Sequence, residues 1–165
     1  MRDIKRIILH CTATREGKDY SVDTIRKWHT DKGWSDIGYH YIVYRDGSIH
    51  PGRPVERMGA HVRGYNASSI GIAYVGGVAS EQVDGKWVPK DTRTPQQKEA
   101  LDCFIRGLLE KYPGSTLHGH NEYSAKACPS FNVQIEYDYI INPNEPIKIF
   151  TDDHICKREL HRFHE

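Results

Sequence analysis

The sequence lacks an apolar run of the length that a membrane-spanning helix needs. No stretch of about 18 consecutive apolar residues occurs among its 165 residues. Near the N-terminus only Ile7-Ile8-Leu9 is continuously apolar, and no small-residue cleavage pattern follows it. We therefore expect no membrane insertion, and we expect the chain to be made in the cytoplasm without a signal peptide.

The sequence also lacks an excess of charge of either sign. Lys and Arg total 23 and Asp and Glu total 22, so the formal net charge is +1. A dedicated nucleic-acid-binding protein usually carries a basic excess on one face, so we expect no nucleic-acid partner. The length suits one domain with one core, and we expect a monomer.

Several common catalytic motifs are missing. The absence of HExxH excludes the helical metalloprotease site. There is no GxSxG nucleophile elbow and no GxxxxGK[ST] phosphate loop. Histidine, in contrast, is abundant, because ten occur without a poly-His tag. This number favours a metal site, although most of the ten are expected to be surface or packing residues.

Short apolar segments alternate with helical patterns along the chain. The predicted strands are residues 4–10, 39–44, 69–75 and 115–118. Helices are predicted to begin after Ser21 and Thr94, and Gly76-Gly77 is predicted to start a polar loop. This alternation predicts an α/β fold, a single domain with a mixed central β-sheet flanked by helices. We expect the domain to span residues 1–141 and residues 142–165 to form a short C-terminal tail.

The residues best suited to chemistry lie between His118 and Pro129. The segment HGHNEYSAKACP contains two imidazoles, a carboxylate, an ammonium and a thiol. Histidine and cysteine are the preferred ligands of zinc, and a catalytic zinc takes three protein ligands and a water. His10 is the natural third ligand, because it ends the first buried strand, where parallel sheets commonly place their sites.

Residue types alone leave two other interpretations of this segment open. His118 and His120 can be polar residues at a strand end with Cys128 a buried thiol, since cysteine is among the most buried residues. Alternatively, Cys128 can be a nucleophile with His120 as its base, which predicts hydrolysis without a metal.

Four separated segments resemble the type-2 N-acetylmuramoyl-L-alanine amidases, and most closely the short phage lysozymes that are amidases. They are LHCTAT (9–14), IRKWHTDKGWSDIGYHYIVYRDG (25–47), GAHVRGYNASSIGIAYVGG (59–77) and AKACPSF (125–131). Peptidoglycan recognition proteins of animals share the fold that this resemblance implies. The resemblance also implies a helix over residues 131–141, where the apolar residues alternate as in a strand.

The resemblance implies one zinc ion per chain, bound by His10, His120 and Cys128. His120 is preferred to His118 because it stands eight residues before Cys128, as in the family motif. Tyr39 and Lys126 would be the catalytic pair that donates to the oxyanion.

The same resemblance implies that His61, Arg63 and Asn66 line a peptidoglycan-binding groove. Glu122 would either orient a ligand from the second shell or act as the base, and both roles stay open. The implied reaction is hydrolysis of the amide bond between N-acetylmuramic acid and L-alanine, after release as an endolysin. The alternative is a non-catalytic peptidoglycan-binding module of the same fold, against which the complete ligand set argues.

Overall fold

Eight strands form two sheets in residues 1–143, the part of the chain that the computed structural model describes. The strands are β1 (Arg6–Cys11), β2 (Thr14–Arg15), β3 (Tyr41–Val43), β4 (Ile49–Pro51), β5 (Ser69–Tyr74), β6 (Gly77–Val83), β7 (Lys86–Pro89) and β8 (Thr116–Gly119). The larger sheet has the order β4-β3-β5-β1-β8. β1 is parallel to β5 and β8, and β3 is parallel to β5 but antiparallel to β4. This confirms the predicted mixed sheet.

The described helices are α1 (Val22–Asp31), α2 (Pro95–Lys111), α3 (Val133–Glu136) and α4 (Asp138–Ile141). α1 begins where predicted, because the Ser21 side chain accepts a hydrogen bond from the Thr24 amide. α2 begins with a capping box in which Thr94 and Gln97 each satisfy the other's backbone amide. The helix that the resemblance implies over residues 131–141 is present as two short helices with Tyr137 between them.

Helices cover both faces of the larger sheet, as predicted. One face packs against α2, in a cluster that includes Ile7, Leu9, Cys11, Leu101 and Ile105. The other face packs against α1, in a cluster that includes Val22, Ile25, Ile42 and Ala73. Because side chains alternate along a strand, Ile8 and His10 point away from the α2 face. None of the described helices has the length and hydropathy that crossing a membrane requires.

The prediction of a polar loop after Gly76-Gly77 is wrong, because β6 and β7 form a hairpin there. Asp84 and Gly85 make its turn with positive φ angles of 50° and 72°, as two-residue hairpin turns require. Most residues of both strands are exposed. Without a buried face, the hairpin has no alternating apolar pattern that the sequence could reveal.

The N-terminus belongs to this domain through Arg2, which precedes the first predicted strand. Its guanidinium donates hydrogen bonds to the carbonyl oxygens of Val55, Asn66 and Ser69, at 2.6–2.7 Å. These contacts attach the loop between β4 and β5 to the sheet. The predicted tail, residues 142–165, lies almost entirely outside the described residues, so the boundary at residue 141 remains a prediction.

Candidate metal centre

Three side chains predicted to bind zinc converge beside the carboxyl end of β1. One ligand atom each of His10, His120 and Cys128 lies within 4.8 Å of the other two. Cys128 Sγ is 3.7 Å from His10 Nδ1, and the ring centroids of His10 and His120 are 4.6 Å apart. His10 is 1% exposed, whereas His120 and Cys128 are half-buried. The cluster is therefore closed on the His10 side and accessible beside the other two residues.

The pairing of β1 with β8 brings the two histidines together. The strands are parallel, and Leu9 lies opposite Gly119. His10 and His120 each come one residue later, so they lie side by side at the same edge of the sheet. His120 also begins a 3-10 turn at the end of β8, which directs the chain away from the sheet.

Hydrogen bonds to the sheet hold the segment that carries Cys128. The Cys11 amide donates to Cys128 Sγ at 3.3 Å. The two residues after Cys128 are also held. The Tyr74 hydroxyl donates to the Pro129 carbonyl at 2.8 Å, and Ser130 Oγ donates to the Gly77 carbonyl at 2.8 Å. The thiol therefore has a defined position between β1 and β5.

The electrostatics of the cluster favour metal ligation. Burial, followed by the neighbouring His61 and His120 rings, holds the pKa of His10 well below its usual range. Burial and the Lys126 ammonium lower the pKa of His120. Both imidazoles are therefore neutral at pH 7 and offer a lone pair, as metal ligands must. The contact with the Cys11 thiol and burial raise the pKa of Cys128, and a bound metal ion would deprotonate such a thiol.

Tyr39 and Lys126, the predicted catalytic pair, both lie beside the cluster. The Tyr39 ring centroid is 5.1 Å from that of His10. Burial and the nearby Cys128 thiol raise the pKa of Tyr39, so its hydroxyl remains a proton donor. Lys126 is exposed, and its charge contributes to the lowered pKa values of His10 and His120.

The sequence profile of the N-acetylmuramoyl-L-alanine amidase family matches residues 1–131. The chain belongs to this amidase family. It is 40% identical over 133 residues to the endolysin of Enterobacteria phage K11, covering 81% of this chain and 85% of the relative. It is 41% identical over 128 residues to the endolysin of Escherichia phage T7, covering 78% and 82%. The solved amidase LysC from Clostridium intestinale URNW is similar with a TM-score of 0.69 and 31% identity, covering 84% of this chain and 85% of that one.

The donor set of this family member fits a zinc ion with one open position. Bonds of about 2.1 Å to nitrogen and about 2.3 Å to sulfur place tetrahedral ligand atoms roughly 3.6 Å apart. The distance between Cys128 Sγ and His10 Nδ1 is 3.7 Å. Within residues 1–143, no other group of three His, Cys, Asp or Glu side chains converges in this way.

His118 and Glu122 face each other outside the cluster of His10, His120 and Cys128. His118 Nδ1 is 2.9 Å from Glu122 Oε1, and His118 Nε2 is 2.7 Å from Thr116 Oγ1. Glu122 Oε2 also accepts from the Gly119 amide at 2.6 Å. The Glu122 carboxylate therefore stabilises the turn that carries His120. Its predicted roles, as second shell or as base, remain predictions.

The three residues predicted to line the groove have different surroundings. His61 is 8% exposed, and its Nδ1 lies 2.9 Å from His10 Nε2. Asn66 Oδ1 accepts from the His61 and Val62 amides at 2.8 and 2.9 Å, which holds the turn between them. Arg63 is exposed. Contacts of these three side chains with substrate remain predictions.

Two groups near the centre were missed by sequence reasoning. Ser69 Oγ lies 3.2 Å from His61 Nε2, and a serine at a strand start carries no sequence signal for such a contact. The second group is the Cys11 amide that donates to Cys128. The Cys11 side chain points away from His10, as the alternation of side chains along a strand predicts. The Cys11 group that donates here is the backbone amide, and a backbone contact of this kind cannot be read from the residue type.

Buried histidines should make the metal-free protein sensitive to acid. His40 is 1% exposed, and burial lowers its pKa to about 4. Its Nδ1 accepts from the Gly71 amide at 3.0 Å. Unfolded histidine titrates near pH 6.5, so between pH 6.5 and 4 the unfolded state binds more protons. The buried, neutral His40 ring therefore contributes fully to the free energy of unfolding above about pH 6.5. This contribution falls by about 3 kcal/mol as the pH is lowered towards 4.

Urea unfolding of the metal-free protein at pH 7, 5.5 and 4 measures this loss. His40→Asn retains an acceptor for the Gly71 amide but does not titrate in this range, so its stability should fall less on acidification. Equal losses in the two proteins would show that His40 does not contribute to the acid sensitivity.

Proposed function

We propose that this protein is a zinc-dependent enzyme that hydrolyses the amide bond between N-acetylmuramic acid and L-alanine in peptidoglycan. The observation that carries the proposal is the convergence of His10, His120 and Cys128 in a member of the N-acetylmuramoyl-L-alanine amidase family. Similarity to phage endolysins supports the bacterial cell wall as the place of action. We infer that the enzyme reaches the wall after release from the cell that makes it.

His10, His120 and Cys128 would bind one zinc ion per chain. Zinc bound there would lower the pKa of a water molecule and polarise the carbonyl of the amide. The burial of His10 excludes solvent on one side of the cluster and keeps that imidazole neutral. The half-buried His120 and Cys128 leave the other side accessible, so a large polymeric substrate can approach from there.

Tyr39 and Lys126 would stabilise the negative charge that develops on the carbonyl oxygen. The Tyr39 hydroxyl stays protonated because burial raises its pKa, so it can donate a hydrogen bond to that oxygen. The Lys126 ammonium is exposed two residues before Cys128, on the accessible side of the cluster. Donors aimed at developing charge are often the largest catalytic contribution of a hydrolase.

The two alternative functions are less well supported. A cysteine nucleophile needs a lowered thiol pKa, whereas burial disfavours the thiolate of Cys128 and raises its pKa. A binding module needs neither a thiol ligand nor two proton donors beside it. The joint presence of Cys128, Tyr39 and Lys126 therefore favours the enzyme.

Digestion of purified peptidoglycan tests the proposal. We expect mass spectrometry to detect free peptide stems that begin with L-alanine, together with intact glycan chains. A chelator should stop the reaction, and added zinc should restore it. Cleavage that persists in the chelator would support the cysteine hydrolase. Binding to peptidoglycan without any product would support the binding module, and cut glycan chains would contradict the bond assignment.

A further inference from the structure

A row of three buried side chains runs from the metal centre into the protein. His10 Nδ1 faces Cys128 Sγ at 3.7 Å, and the opposite nitrogen, Nε2, lies 2.9 Å from His61 Nδ1. His61 Nε2 in turn lies 3.2 Å from Ser69 Oγ. His10, His61 and Ser69 are 1%, 8% and 0% exposed. Solvent is therefore a poor substitute for either hydrogen bond.

The surroundings of His61 hold its ring in one position. A Cβ on Gly71 would lie 2.6 Å from His61 Cγ, and a Cβ on Gly59 would lie 2.7 Å from His61 Cδ2. Glycine at both positions therefore lets the ring pack directly against the backbone. Asn66 Oδ1 accepts from the His61 amide and holds the main chain on the same residue. Ring and backbone are thus both fixed before any metal arrives.

The positions of the hydrogens in this row follow from the ligand role of His10. A histidine that binds a metal through Nδ1 uses that lone pair, so its hydrogen must be on Nε2. His10 Nε2–H then donates to His61 Nδ1, which must be unprotonated. The hydrogen of His61 is therefore on Nε2, where it donates to Ser69 Oγ. Each hydrogen bond in the row then has one donor and one acceptor. In both bonds the donor is the residue nearer to the metal.

We propose that His61 is a positioning residue that accepts the Nε2–H of His10 and so fixes the tautomer and ring orientation in which His10 Nδ1 binds zinc. The inference rests on the proposed zinc site. Hydrogen-bond partners behind a metal-ligating histidine orient the ring and raise its basicity. Both nitrogens of His61 are engaged by His10 and Ser69, so in this arrangement His61 acts through His10 rather than on the substrate.

Zinc affinity tests the proposal independently of activity. The metal-free full chain is titrated with zinc in competition with a chromophoric chelator. Loss of such a partner typically weakens metal binding by about 10–100-fold, and we expect a loss of this size for His61→Leu. His61→Asn should remain close to wild type, because its Oδ1 can accept the His10 hydrogen near the place of Nδ1. His50→Leu, the same change at a half-buried histidine of β4, should leave the affinity unchanged.

A second measurement covers the case in which His61→Leu does not fold. Long-range ¹H–¹⁵N spectra of the zinc-loaded wild type should show His61 protonated at Nε2 and not at Nδ1. Hydrogen on His61 Nδ1, or wild-type affinity in a folded His61→Leu protein, would overturn the positioning role while leaving the zinc site intact. A wild type that binds no zinc would overturn the proposed function as well, so the two failures are distinguishable.

Discussion

Cys128→Ser is expected to leave the protein without zinc and without detectable amidase activity. The thiol is one of only three side chains of this type that converge in residues 1–143 and could hold a metal ion, and a catalytic zinc keeps three protein ligands. A serine hydroxyl is a much weaker zinc ligand than a thiolate, because it stays protonated at neutral pH. The measurement is elemental analysis after removal of loosely bound metal, together with release of peptide stems from peptidoglycan.

The chain offers a matched control for this substitution. Cys11 is the other free cysteine of the described residues, and its side chain packs in the core cluster on the α2 face. Cys11→Ser changes the same atom but removes no member of the His10, His120 and Cys128 cluster, and it keeps the Cys11 amide that donates to Cys128. We expect this variant to retain zinc. Full zinc content in Cys128→Ser would refute the assignment of Cys128 as a ligand.

The two neighbouring histidines provide a further control on the ligand set. His120→Ala should lose zinc, whereas His118→Ala should retain it, since both nitrogens of His118 contact Thr116 and Glu122 instead. Loss of zinc in the His118 variant alone would mean that the ligand assignment is reversed.

The parts of this fold that could be predicted are those in which a buried face imposes a periodic pattern. β1 and β5 are buried along almost their whole length and are rich in isoleucine, and the start of α2 is marked by Thr94 and Pro95. The β6–β7 hairpin was missed because its strands have no buried face. The break at Tyr137 was missed because two four-residue helices are too short to show a period of their own.

The candidate site was likewise predictable from the sequence only in part. The resemblance to the amidase family indicated His10, His120 and Cys128, and the pairing of β1 with β8 explains why the two distant histidines meet. The direction of the His61 ring could not be predicted. It depends on a loop that Arg2 and Asn66 hold through contacts with backbone groups, and such contacts leave no pattern in the sequence. The predicted groove residue His61 is consequently found beside His10, on the side of that ring opposite Cys128.

Lys126→Ala is expected to slow catalysis strongly while leaving zinc bound. Lys126 is exposed, and its charge lowers the pKa of His10 and of His120. Removing a positive charge beside the metal cannot weaken the attraction for a cation, so zinc affinity should stay the same or rise slightly. The melting temperature should also stay near that of wild type, because no packing is lost at an exposed side chain.

The expected loss for Lys126→Ala is about 10²–10³ in kcat, or roughly 3–4 kcal/mol of transition-state stabilisation. KM should change much less, because the contact with the oxyanion forms mainly in the transition state. Tyr39→Phe removes the second donor and keeps the ring against His10, so a fall of kcat with little change in KM is expected there too.

Lys111→Ala, at the end of α2 on the opposite face of the sheet, is the matched control and should behave as wild type. Turnover of the Lys126 variant within about twofold of wild type, well short of the loss of a single oxyanion donor, would show that this ammonium is a solvated surface group. The charge on the carbonyl oxygen would then have to be stabilised by Tyr39 and the metal alone.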